Sequence, residues 1–240
     1  MSNIMPVNYQ IMSTEQERAP MLTPLSLDLL KTAAKAYAAE LSSTGIPSLY
    51  GVTDGKAVGT YVEAGFNEFI ARSYSHTPGN AARGIDFPEL NVDLKVTSIR
   101  QPQSSCPFRN ATQKIYGLGY HLLVMVYEKS DDHTLQEAKL NFLHVLFIDD
   151  ANTADFQMTT GLRRIIDQNG SADDIDAHLE DKNLPLDPES RRQLAEKILT
   201  EPPSIGGLTI SNALQWRLQY SRAIGIAQQG NIEGISDLIG

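Results

Sequence analysis

Cysteine is almost absent: Cys106 is the only one in 240 residues, so no internal disulfide can form. No run approaches the roughly 18 consecutive apolar residues that a membrane span needs. The opening segment, MSNIMPVNYQIMSTEQERAP, lacks the basic stretch followed by an apolar one that marks a secretory signal. The expectation is a cytoplasmic protein with no membrane association. Several catalytic signatures are missing as well. There is no glycine-rich dinucleotide loop, no P-loop and no nucleophile elbow. His76, His121, His133, His144 and His178 show no metal-ligand spacing, and His121 and His144 stand in apolar runs, where they read as core residues. Cys106, beside Pro107, has no partner that would activate it as a nucleophile.

Positive charge is also scarce. Twenty Lys and Arg face 29 Asp and Glu, a net charge of -9. Phosphate binding normally draws on Lys and Arg, so this balance argues at first sight against a nucleic-acid partner. Five of those acids, Asp173, Asp174, Asp176, Glu180 and Asp181, are however packed into one short run. Basic residues remain free to gather elsewhere. A centre built on a divalent cation also needs carboxylates, and the cation offsets their charge. Acidity therefore does not exclude an enzyme of nucleic acids.

The length suits one substantial core. Residues 1–23 show little periodicity and read as a loose arm, followed by a core over 24–150 and a mostly helical part over 151–240. Apolar spacing predicts helices over about 23–43 and 56–73, separated by a loop rich in Gly, Pro and Ser. Leu90, Val92, Leu94 and Val96 alternate with Asn91, Asp93 and Lys95, the period-2 pattern of a strand. Tyr120–Tyr127 and Leu140–Ile148 read as buried central strands joined by a polar linker, KSDDHTLQEAK. Helices are expected over about 152–168, 173–182, 188–200 and 211–229. The fold class is α/β, a mixed central β-sheet flanked by helices, with a mostly helical C-terminal part.

The stretch GIDFPELNVDLKVTS, residues 84–98, carries the chemistry. Asp93 and Lys95 lie two apart on a strand and so project from the same face. Asp86 stands seven residues earlier, across a turn, within reach of the same point. Two carboxylates suit a hard divalent cation; Mg²⁺ typically takes one or two and fills its remaining positions with water and phosphate oxygens. An ammonium beside such an ion can orient or deprotonate an attacking water and steady charge growing on phosphorus.

With Asp86 as first acid and Asp93-Leu94-Lys95 as D-x-K, the stretch resembles the PD-(D/E)xK nuclease superfamily. It is similar in particular to the MutH mismatch-repair nickase and its restriction-enzyme relatives. That group carries an upstream Gly-x-x-x-Glu element on a helix, matched here by Gly59 to Glu63. The resemblance covers about residues 55–100. It implies a restriction-endonuclease-like fold and a role for Glu63 in metal binding through water or in orienting the site. The sequence departs from the group in three ways. Asp93 stands where Glu is usual, Pro88 follows Asp86 where the motif's proline would precede it, and the long gap from Glu63 to Asp86 leaves Glu68 as a rival.

The resemblance further implies DNA contacts just after the catalytic strand, at Ser98, Arg100, Gln101, Gln103 and Arg109; Arg suits guanine and Gln suits adenine. Trp216, Arg217, Tyr220 and Arg222, read as one helix, form a second basic-aromatic surface, with core packing of the aromatics the commoner outcome. The function implied is a Type II restriction endonuclease that hydrolyses double-stranded DNA with Mg²⁺. It would act as a homodimer on a palindrome, since two-fold protein symmetry mirrors two-fold DNA symmetry. A cognate DNA methyltransferase would belong to the same system without being a required binding partner. The alternatives are a MutH-like strand-specific nickase and a non-catalytic DNA-binding module.

Overall fold

The computed structural model describes residues 22–79, 84–106, 108–211, 216–230 and 234–240. Most of the expected N-terminal arm lies outside these residues. The chain opens with a short strand β1 (Thr23–Pro24) and helix α1 (Leu27–Ser42). Ser26 caps α1 by accepting from the Leu29 N–H. Leu30, Ala33, Ala34, Tyr37, Ala38 and Leu41 recur at helical spacing and form its buried stripe. Helix α2 (Gly55–Ser73) is capped by Asp54 and buries Val58, Val62, Phe66 and Ile70. The Tyr37 hydroxyl ties the two helices by donating to the Val62 carbonyl at 3.2 Å.

After β2 (Tyr74–Ser75), which pairs with β1, come β3 (Val92–Ser98), β4 (Gln103–Ser105), the short α3 (Gln113–Tyr116), β5 (His121–Asp132) and β6 (Glu137–Ile148). Helices α4 (Phe156–Asp167), α5 (Ala172–Asp181) and α6 (Pro188–Thr200) follow, then β7 (Thr209–Ile210), β8 (Arg217–Gln219), α7 (Ser221–Gln228) and β9 (Ile235–Asp237). The main sheet runs β3-β5-β6-β9 and is mixed: β3 is parallel to β5, and the other pairs are antiparallel. Helices α1 and α2 cover one face, against Val92, Leu94, Leu123, Met125, Val145 and Phe147. The other face carries Leu122, Val124, Val126, Leu146 and Ile148, which pack on a small β4-β8-β7 sheet and on α7. A third cluster, around Leu162, Ile175, Leu179 and Ile198, holds α4, α5 and α6 together.

Three expectations need correction. The polar linker between the central strands is mostly strand. β5 and β6 pair as far as Asp132 and Glu137, leaving a four-residue turn in which Gln136 adopts φ 53°. Backbone pairing along a long hairpin overrides the polar composition of its outer end. Residues 211–229 are not one helix either: Arg217–Gln219 is a strand paired with Gln103–Ser105, and only Ser221–Gln228 is helical. Trp216 and Tyr220 therefore share no helix face, although Tyr220 is wholly buried and packs in the core. His121 and His144 are not plain core residues. Each is partly exposed and faces a carboxylate, His121 Nδ1 at 3.4 Å from Asp149 and His144 Nδ1 at 2.6 Å from Asp237.

Candidate active site

Asp86 is set by its backbone neighbours. Phe87 forms an isolated antiparallel bridge with Val92, its N–H donating to the Val92 carbonyl at 2.9 Å. Its ring is buried, edge-on to Phe66 of α2 at 6.0 Å between centroids. Truncating such a buried ring costs about 3–5 kcal/mol, so the residue beside Asp86 is firmly held. On the other side, the Gly79 N–H donates to the Asp86 carbonyl at 2.9 Å. A β-carbon at Gly79 would lie 2.7 Å from that carbonyl oxygen and 2.8 Å from the Asp86 Cα. Only glycine allows so close an approach. The Asp86 side chain then turns toward β3 and accepts from the Leu94 N–H at 2.8 Å.

Asp93 and Lys95 share a face of β3, as the alternation requires. Asp93 is only 2% exposed, and the Lys95 ammonium sits 2.7 Å from its Oδ2. The Asp86 carboxyl lies near enough to Asp93 to act on its charge. Burial, helped by Asp86, pushes Asp93 up to about 7 against the opposing pull of Lys95. Burial works to depress Lys95, but pairing with Asp93 outweighs it and holds the ammonium above its ordinary value. Glu63 joins the group electrostatically: burial and then the Asp86 charge raise its pKa, while Lys95 pulls it down. Glu68, the rival carboxylate, instead reaches Arg72 in solvent, 73% exposed. The helix phase that buries Val62 and Phe66 turns Glu63 toward the strand.

Among the described residues no three His, Cys, Asp or Glu side chains converge closely enough to hold a metal ion. The site is therefore a carboxylate pair with an ammonium beside it and a third carboxylate further out. Two neighbouring carboxylates, one of them buried, repel, and a divalent cation between them would relieve that repulsion. Magnesium needs no more than one or two protein carboxylates. The donor set fits it.

Behind Asp93, on the same side of the sheet, the Cys106 thiol meets the Tyr120 hydroxyl at 3.1 Å and Tyr220 meets Ser104 at 2.6 Å. Burial pushes the Cys106 thiol up, with Tyr120 opposing, in keeping with an unreactive thiol.

The next residue on the Asp93–Lys95 face is Thr97, buried at the mouth of the following turn. Its hydroxyl accepts from the Gln103 N–H at 3.0 Å and lies 3.3 and 3.2 Å from the carbonyls of Gln101 and Gln103, to either of which it can donate. The turn is clamped from outside as well, since the Tyr220 N–H donates to the Pro102 carbonyl at 2.8 Å. Ser98, Arg100, Gln101 and Gln103 are thereby gathered along an open cleft of about 700 Å³. Arg109 is not among its lining residues; its N–H is held by the Gln113 side chain at 2.7 Å. Lys56, Lys129 and Arg217 also line the cleft. Lys56 and Lys129 carried no signal in the sequence. Arg217 stood out there, but on a helix that does not form.

The chain matches the family of Type II restriction enzyme NspV over residues 24–237. It is 53% identical over 208 residues to the Type II restriction enzyme NspV of Nostoc sp., an overlap covering 87% of this chain and 94% of that protein. No solved structure matches.

Proposed function

Because the chain belongs to the NspV family of Type II restriction enzymes, we propose that it hydrolyses phosphodiester bonds of double-stranded DNA at a specific sequence, with Mg²⁺ held by Asp86 and Asp93. The observation that carries this is the buried Asp93 carboxylate, paired with Lys95 and near Asp86. Their order, with Glu63 upstream on α2, supports membership of the PD-(D/E)xK superfamily.

A divalent cation bound to the pair supplies Lewis-acid polarisation of a phosphoryl oxygen. The protein's own residues do the rest. The backbone bond from Leu94 fixes one Asp86 oxygen and aims the other at the site. The Lys95 ammonium, held beside Asp93, stands where it can donate to the attacking water or to the phosphoryl oxygens. Glu63, outside the pair, orients water at the edge of the site. Gln101, Gln103 and Arg100 supply base-reading chemistry at the cleft, and Ser98 supports them. A homodimer on a palindromic site fits an enzyme of this class, protected in its host by a methyltransferase of the same system.

The test is cleavage of unmethylated phage and plasmid DNA with Mg²⁺, with fragment ends sequenced. Linear products with one common end sequence are expected from wild type and not from Lys95→Ala. Nicked circles alone would favour a strand-specific nickase. A Lys95→Ala enzyme as active as wild type would sink the site assignment.

A further inference from the structure

We infer that the cleft beside the active site is a track for one sugar-phosphate strand of the duplex, with Lys56 and Arg217 as phosphate-binding residues. The inference rests on the DNA-cleaving reading above and adds residues to it. Four elements deliver cations to the cleft: Lys56 from the first turn of α2, Arg100 from the turn after β3, Lys129 from β5 and Arg217 from β8. The register of the small sheet places Arg217 opposite Ser105, two residues beyond Gln103.

Among the described residues Asp131 is the only carboxylate in the lining of the cleft, and it is already engaged by the Lys129 ammonium and by the Gly51 N–H at 3.2 Å. Lys56, Arg100 and Arg217 have no carboxylate within salt-bridge distance among the described residues. On a chain with nine more acids than bases, three cations around one concave surface that no described carboxylate matches suit an external anion. Thr53, Ser98 and Ser130 in the same lining offer neutral donors of the kind that hold a DNA backbone. Position fits too, because Thr97, the next residue on the Asp93–Lys95 face of β3, is part of the lining.

Phosphate contacts and base contacts respond differently to mutation. Losing a phosphate contact weakens all sequences alike and lowers the salt dependence of binding by about one counterion, whereas losing a base contact relaxes specificity. Binding would be measured in EDTA by fluorescence anisotropy, from about 50 to 200 mM salt. The probes are a 30-base-pair duplex carrying the mapped cleavage site and an unrelated duplex of equal length. Lys56→Ala and Arg217→Ala should each reduce the slope of log K against log salt by about one. Each should weaken both duplexes by a similar factor, several-fold at about 0.1 M salt, and leave their ratio unchanged. Arg217→Lys should keep the slope, and Lys139→Ala, on the exposed side of β6, should match wild type. Unchanged slopes in an enzyme that still binds and cuts would overturn the track while leaving the nuclease reading intact. Loss confined to the site-bearing duplex would also overturn it, by making these residues base readers. A wild type that neither binds nor cuts DNA would remove both.

Discussion

Two clusters of charged side chains invite comparison. Between α5 and α6, Arg191 and Arg192 meet Asp173, Asp176, Glu180 and Glu196; around β3, Lys95 meets Asp93, with Asp86 and Glu63 close by. Both hold more carboxylates than cations. What separates them is water. Arg191 and Asp176 are 11% and 24% exposed, but the surplus carboxylates Asp173, Glu180 and Glu196 are 77%, 68% and 64% exposed, whereas Asp93 and Lys95 are 3% and 19% exposed. Solvent screens the first cluster, so its surplus charge has little consequence. Asp93 in the second is almost wholly shielded from water, and surplus negative charge beside it supports the proposed cation site. Counting charges would not have told the two apart.

The comparison breaks most readily at Lys95. Lys95→Ala should lower cleavage by about 10²–10³-fold, the loss typical of removing one preorganised electrostatic donor. Arg192→Ala should leave the cleavage rate within about twofold of wild type. Gel assays with Mg²⁺ on both variants would check the contrast, and equal losses would erase it.

A smaller effect is expected at Thr97, whose hydroxyl links the catalytic strand to the turn bearing Gln101 and Gln103. Thr97→Val should reduce discrimination between the cleavage site and single-base variants by about tenfold, the scale of one lost hydrogen bond of ~1.4 kcal/mol. Thr97→Ser should restore it. Uniform loss on all sequences, or no recovery with Ser, would show that the hydroxyl merely stabilises the fold.

Stability should move in the opposite direction at Asp86. The folded-state value of Asp93, about 7, lies above its ordinary 3.8. Across that window the folded protein binds more protons than the unfolded chain, so stability falls as pH rises. Asp86→Asn keeps an oxygen for the Leu94 N–H and removes one of the charges responsible. In metal-free buffer at pH 8 it should raise stability by about 1–2 kcal/mol, or ~2–8 °C in Tm, with the gain vanishing near pH 4. Melting curves at the two pH values would decide. Mg²⁺ should raise the Tm of wild type and have less effect on the variant. Smallest of all, Arg192→Ala should shift Tm by less than about 2 °C, as screened surface pairs do.

Much of the site was legible because its parts lie on regular elements. Alternation placed Asp93 and Lys95 on one face, and the Gly-x-x-x-Glu resemblance pointed to Glu63 but left Glu68 open; only the fold shows Glu63 part-buried near Asp86 and Lys95 and Glu68 in solvent with Arg72. The segment around Leu218 was misread because Leu214, Trp216, Leu218 and Tyr220 alternate as well as they spiral. The partner that decides the matter, Gln103–Ser105, is more than a hundred residues away. The cleft was illegible for the same reason. Lys56, Lys129 and Arg217 are strangers in sequence, and only the packing of α2, β5 and β8 around the end of β3 brings them together.

The narrow neck where Gly79 meets Asp86 bears on how this chain tolerates change. Because the neck closes on itself through backbone contact, the first acid is tethered from the sheet side by Phe87 and from the helix side by glycine. Insertions or deletions between 79 and 86 should then leave the Asp86 carboxylate in place. The unusual distance from Glu63 to Asp86 ceases to be an obstacle, since spacing along the chain at that point is uncoupled from spacing in the folded site.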